Sequence, residues 1–188
     1  MTTETSRVRP RESEIVAAAR VHLESQGYRV WVNPDGRDYF DLVARKGRDV
    51  GLVEAKVAGT REVLAQALRR RAWGDWVAVV LATERAAWHL ADRTDKTRAA
   101  PIGVWWARRG TGVTVVRAAR PWSRGGSDDP FGPLRARFHR LLDALDAGEI
   151  PTSASWDGVV REVRRASGGR GFREWRLDEP VAGPDRGP

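Results

Sequence analysis

Apolar and polar residues change their period several times along the chain, and each change marks an element. In residues 11–26, RESEIVAAARVHLESQ, the positions Ile15, Ala18, Ala19, His22 and Leu23 fall on one helical stripe. Ser13 is the expected N-cap, and Gly27 suits the left-handed position that follows a helix. Residues 28–32, YRVWV, then read as a strand, and Asn33-Pro34-Asp35-Gly36 as a turn. Two short apolar strands follow at 40–44 and 50–57, joined by the polar turn Lys46-Gly47-Arg48-Asp49. A second helix is predicted over 61–72, with Val63, Leu64, Ala67 and Leu68 as its apolar stripe and Gln66, Arg69 and Arg70 elsewhere on it. Residues 76–82, WVAVVLA, form a continuous apolar run, as expected of a strand covered on both faces. A third helix over 84–93, capped by Thr83, precedes strands at 101–107 and 113–118. The turn Arg108-Arg109-Gly110-Thr111-Gly112 joins those two strands.

This order, αβββαβ then αββ, predicts an α/β fold with a mixed central sheet flanked by helices. The three-stranded meander places the 40–57 hairpin at the sheet's centre. Beyond Pro121 the character changes. Residues 123–130 are rich in Gly, Ser and Asp, and Leu134, Phe138, Leu141, Leu142 and Leu145 mark an amphipathic helix over 131–147. A short helix is expected over 155–166, a flexible basic stretch over 167–173, and disorder over 178–188. The chain therefore divides into a domain over 1–120 and a basic helical C-terminal extension with a disordered tail over 121–188.

Composition narrows the chemistry. The 188 residues include no cysteine, which excludes disulfides and thiolate metal sites. No apolar run approaches the roughly 20 residues of a membrane helix. The opening MTTETSRVRPRESE lacks a signal-peptide core, so a cytoplasmic protein with no membrane partner is expected. The formal charge of +8 suits a polyanionic partner, although Arg, Ala, Gly and Trp richness also follows from a compositional bias. Lysine occurs only at 46, 56 and 96, so Lys56 does not come from a lysine-rich background.

Three charges stand where apolar strands should not carry them: Asp41, Glu54 and Lys56. Strand alternation places Glu54 and Lys56 on one face, with Val53, Ala55 and Val57 on the other. Ionised groups within apolar strands are costly unless they pair or hold a metal. Two carboxylates and an amine at the edge of a hairpin form a candidate Mg²⁺ site with a lysine beside it. The structural alternative makes Asp41 a strand-end hydrogen bonder and Glu54–Lys56 a surface pair.

The arrangement Asp41, then Glu54-Ala55-Lys56 in the next strand, resembles the active-site motif of the restriction-endonuclease-like superfamily, written PD-(D/E)xK. It is most similar to archaeal Holliday-junction resolvases, through Gly27-Tyr28, Asp41-Leu42-Val43-Ala44 and Glu54-Ala55-Lys56-Val57. The likeness spans about residues 12–82, and Phe40 stands where the motif's name has Pro. The resemblance implies a restriction-endonuclease-like core and a Mg²⁺- or Mn²⁺-dependent DNA endonuclease. Asp41, Glu54 and the carbonyl of Ala55 would ligate the metal, and Lys56 would orient or help deprotonate the attacking water. It also implies a first-helix glutamate near the metal, for which Glu14 is the candidate with Glu12 competing, and a functional Gln66 on the next helix. Arg37, Arg69, Arg70 and Arg71 are candidate nucleic-acid contacts. Such nucleases often pair as homodimers, but no segment of this chain identifies a dimer face. A non-catalytic nucleic-acid-binding subunit retaining the fold is the rival reading.

Other motifs carry less. His22 lies on an apolar stripe and reads as a core or boundary residue; no His/Cys zinc spacing exists. Of Trp105 and Trp106, which suit base stacking, at least one must face the core because adjacent strand residues point opposite ways.

Overall fold

The computed structural model describes residues 10–33, 40–59, 61–95, 101–108, 112–121 and 131–149. The elements follow the expected order: α1 (Glu12–Ser25), β1 (Arg29–Val32), β2 (Leu42–Lys46), β3 (Asp49–Lys56), α2 (Arg61–Arg70), β4 (Trp76–Leu81), α3 (Glu84–Asp95), β5 (Gly103–Arg108), β6 (Gly112–Arg117) and α4 (Gly132–Asp146). The six strands form one sheet in sequence order. β1, β2 and β3 pair antiparallel, β3, β4 and β5 parallel, and β5 with β6 antiparallel. The sheet is therefore mixed, as expected, and the hairpin reaches its centre through β3. Among the described residues, no helix is long and apolar enough to cross a membrane. The helix, basic stretch and tail predicted beyond residue 150 lie outside the described residues.

Both faces of the sheet are covered. Ile15, Ala19 and Leu23 of α1 pack on Leu42, Ala44, Val53, Ala55, Ala78 and Val80. On the other face, Val63, Ala67, Leu90 and Phe138 from α2, α3 and α4 pack on Val43, Val50, Leu52, Val77, Val79 and Leu81. The alternation along β2, β3 and β4 thus serves two cores, which explains why β4 is apolar throughout. Trp105 belongs to the α1 side at 5% exposed, while Trp106 is half-buried beneath the Arg108 guanidinium, 5.5 Å from its ring centroid.

Two local expectations shift. α1 starts at Glu12 with Arg11, not Ser13, as N-cap, because Glu14 accepts a hydrogen bond from the Arg11 backbone N–H at 3.2 Å. Gly27 does take the left-handed conformation, φ 82°, that turns the chain from α1 into β1. The second shift concerns α4, which the sequence places in an extension. Phe138 and Leu142 are fully buried, and Phe138 packs against Phe40 and Trp73. Arg45 of β2 pairs with Asp143 and Asp146, and Asp75 lies 3.3 Å from His139 Nε2. α4 is part of the core that supports the hairpin.

Gly51 is required where β3 meets β4. It pairs with Trp76, and a Cβ there would lie 1.9 Å from the Trp76 ring. That ring is pinned, because Trp76 Nε1 donates to Asp49 at 2.9 Å. Gly51→Ala should therefore cost at least about 2–3 kcal/mol through overpacking. Urea denaturation would measure it; a loss below about 0.5 kcal/mol would show that the ring has room to move.

Candidate active site

The hairpin sets the site. Leu42 pairs with Val53, and the Asp41 N–H also donates to the Val53 carbonyl, which brings Asp41 beside Glu54 and Ala55 at the end of the hairpin. Alternation puts Glu54 and Lys56 on one face of β3. This is the face that α2, α3 and α4 cover. The site lies at the carboxyl ends of the parallel strands β3 and β4, the usual position of ligand sites in open α/β sheets.

Here Asp41 and Glu54 are 6% and 5% exposed. Lys56 Nζ stands 3.1 Å from Glu54 Oε1, 3.9 Å from Asp41 Oδ2 and 3.0 Å from Glu12 Oε1. Asp41 Oδ2 also accepts a hydrogen bond from the Ala55 N–H at 2.6 Å. A strand residue turns its N–H and C=O toward the same side, so the Ala55 backbone is directed at Asp41. Burial, then the nearby Glu54 charge, pushes the Asp41 carboxyl up to about 6; the Ala55 N–H and Lys56 oppose that rise. For Lys56, burial acts to lower the ammonium, but Glu54, Asp41 and Glu12 outweigh it and the net shift is upward. Lys56 is therefore held as an ammonium.

From α2, Arg70 Nη2 approaches Glu54 Oε2 at 3.8 Å. That oxygen is buried and accepts no hydrogen bond among the described residues. Gln66 lies one turn earlier on α2, and its side-chain oxygen is likewise buried and unsatisfied. α2 runs back along β3, so Gln66 is nearer the Lys56 end than Arg70 is.

The predicted residues separate accordingly. Asp41, Glu54, Lys56 and the Ala55 backbone come together. Glu14 does not: it is exposed and caps its own helix, and Glu12, two residues earlier, reaches Lys56 instead. Arg70 is not on a solvated face but buried against Glu54. Its place on the stripe Val63, Ala67, Arg70 was a usable signal. Arg71 lies over the Phe131 ring of the segment entering α4, at 5.3 Å, while Arg69 is half-exposed and Arg37 lies outside the described residues. His22 sits edge-on to Trp105 at the rim of the α1 core, as a boundary histidine. Among the described residues, no three His, Cys, Asp or Glu side chains gather as a metal cluster. The side-chain oxygens gathered at the hairpin are those of Asp41 and Glu54, with Glu12 beyond Lys56. Comparison with known proteins finds no matching family model, no similar curated protein and no similar solved structure.

The Glu12 contact makes a distinction that can be measured. Glu12→Gln should lower any metal-dependent cleavage roughly tenfold, the scale of a lost supporting contact. Glu14→Gln should leave cleavage unchanged and cost about 1 kcal/mol of stability through the lost cap. Initial rates and thermal unfolding of the two variants would check this; equal rate losses would remove Glu12 from the site.

Proposed function

We propose that the protein is a Mg²⁺- or Mn²⁺-dependent DNA endonuclease with a restriction-endonuclease-like core. One observation carries this reading: Asp41, Glu54 and Lys56 converge, largely buried, at the strand ends of the hairpin. Asp41, Glu54 and the Ala55 carbonyl would hold the ion, and this all-oxygen set matches the preference of Mg²⁺. The buried, unsatisfied Glu54 oxygen and the ammonium lodged among carboxylates fit a site that takes a cation. When bound, the ion supplies Lewis acidity and a bound water of lowered pKa.

The chain's own residues supply the rest. Lys56, placed by three carboxylates, would orient the attacking water and offset charge on the scissile phosphate. Gln66 offers a buried amide oxygen toward the same end of β3. Half-exposed Arg69 and the overall charge of +8 suit a phosphate backbone as partner. The intact carboxylate–lysine set argues against a non-catalytic subunit, which would have no use for it.

The test is cleavage of supercoiled plasmid, linear duplex, single strand, flap and four-way junction in Mg²⁺, Mn²⁺ or EDTA. Cutting that EDTA abolishes supports the reading, and the preferred substrate gives the class. DNA binding without cutting in any metal would favour the non-catalytic subunit.

A further inference from the structure

Arg70 ends α2, where a basic residue usually points to water, yet it is only 7% exposed. Val63, Ala67 and Arg70 recur at helical spacing, and the first two are buried in the core. The same stripe carries the guanidinium over the Phe40 ring, 5.9 Å from its centroid, and to Glu54 Oε2 at 3.8 Å. Lys56 holds the other Glu54 oxygen, Oε1, at 3.1 Å. Glu54 is thus clamped between a cation from α2 and a cation from its own strand.

The two cations differ in permanence. Lys56 is a four-carbon chain whose side chain is 26% exposed. The Arg70 side chain is 8% exposed, planar and charged at any working pH. Among the described residues, this network sets three carboxylates, Asp41, Glu54 and Glu12, against Lys56 and Arg70. Arg70 thus sets a buried positive charge beside a carboxylate that would hold a cation, and that charge opposes an incoming ion.

We propose that Arg70 is a positioning residue: it fixes the Glu54 carboxylate, and its permanent charge lowers the affinity of the site for a divalent ion. This inference rests on the metal-dependent reading given above.

Calorimetric titration of the full chain with Mn²⁺ tests it, using wild type, Arg70→Met, Arg70→Lys and Asp41→Asn. The wild type should bind Mn²⁺, and Asp41→Asn should remove that binding. Arg70→Met should bind Mn²⁺ at least about tenfold more tightly, because a repelling cation is gone. Its kcat on DNA should nevertheless fall, with KM little changed, because Glu54 is no longer fixed. Arg70→Lys keeps the charge and should stay within about threefold of wild type in Mn²⁺ affinity, with a reduced kcat. A residue that only supports packing would weaken metal binding when removed, the opposite sign.

Unchanged or weaker Mn²⁺ binding by folded Arg70→Met overturns the inference. If Arg70→Met does not fold, Arg70→Lys decides by the same criteria: wild-type affinity with lower kcat supports the role, and lost affinity overturns it. A wild type that binds no Mn²⁺ removes the metal reading, and this inference with it.

Discussion

Lys56→Ala should lower metal-dependent DNA cleavage by roughly 10³-fold, the scale of losing one preorganised charge at a reacting centre. The ammonium is placed by three carboxylates at 3.0, 3.1 and 3.9 Å, so few water positions could replace it in the same geometry. The substitution also leaves Asp41 and Glu54 facing each other without their nearest cation. In EDTA the variant should lose on the order of 2 kcal/mol of stability, discounted from the buried-pair range because the lysine is partly exposed. Divalent metal should then restore more stability to the variant than it adds to wild type, since it supplies the missing positive charge. Lys56→Arg keeps the charge but not the position, and should recover stability more than rate. Plasmid-nicking rates and thermal unfolding with and without Mg²⁺ would measure both effects. Wild-type cleavage by Lys56→Ala would exclude the lysine from the reaction.

Asp41→Asn should have two opposite effects. It should abolish cleavage, because a carboxylate ligand is lost, and it should stabilise the metal-free protein at neutral pH. Burial and the Glu54 charge lift Asp41 from 3.8 to about 6 in the folded state. Between those values the folded protein binds a proton that the unfolded chain does not. Stability of the metal-free protein therefore falls as pH rises through this window, and the penalty is complete above about 6. Two units correspond to about 3 kcal/mol. Asparagine cannot ionise, and its carbonyl can still accept the Ala55 N–H, so the variant escapes the penalty. At pH values above the window Asp41→Asn should be the more stable protein in EDTA, by on the order of 2 kcal/mol, with the difference vanishing towards pH 4. Mn²⁺ affinity of the wild type should weaken as pH falls through about 6, because a proton on Asp41 competes with the ion. Chemical denaturation in EDTA across this range is the check; a less stable Asp41→Asn at neutral pH would mean that Asp41 is held ionised by contacts stronger than its burial.

Much of this molecule is legible in the residue pattern. Ten elements follow in the expected order, and Gly27 turns the chain where a left-handed residue was expected. Asp41, Glu54 and Lys56 meet because alternation and hairpin register are local rules. The short turn at Gly47 and Arg48 leaves the β2–β3 register little freedom to slip. Period and turn chemistry need only a few neighbouring residues, so they survive without knowledge of the fold.

The finer assignments depend on distant packing. Whether Glu12 or Glu14 reaches Lys56 depends on where α1 begins and how Ile15, Ala19 and Leu23 rotate it on the sheet. A two-residue change of position moves a helical side chain by more than half a turn. Whether Arg70 meets DNA or Glu54 depends on how Val63 and Ala67 seat α2 over β3. Composition marks α4 as separate, yet Phe138 and Leu142 fill the core beneath the hairpin. In each case the deciding contact joins residues far apart in the chain, and periodicity contains no information about which distant face a helix will meet.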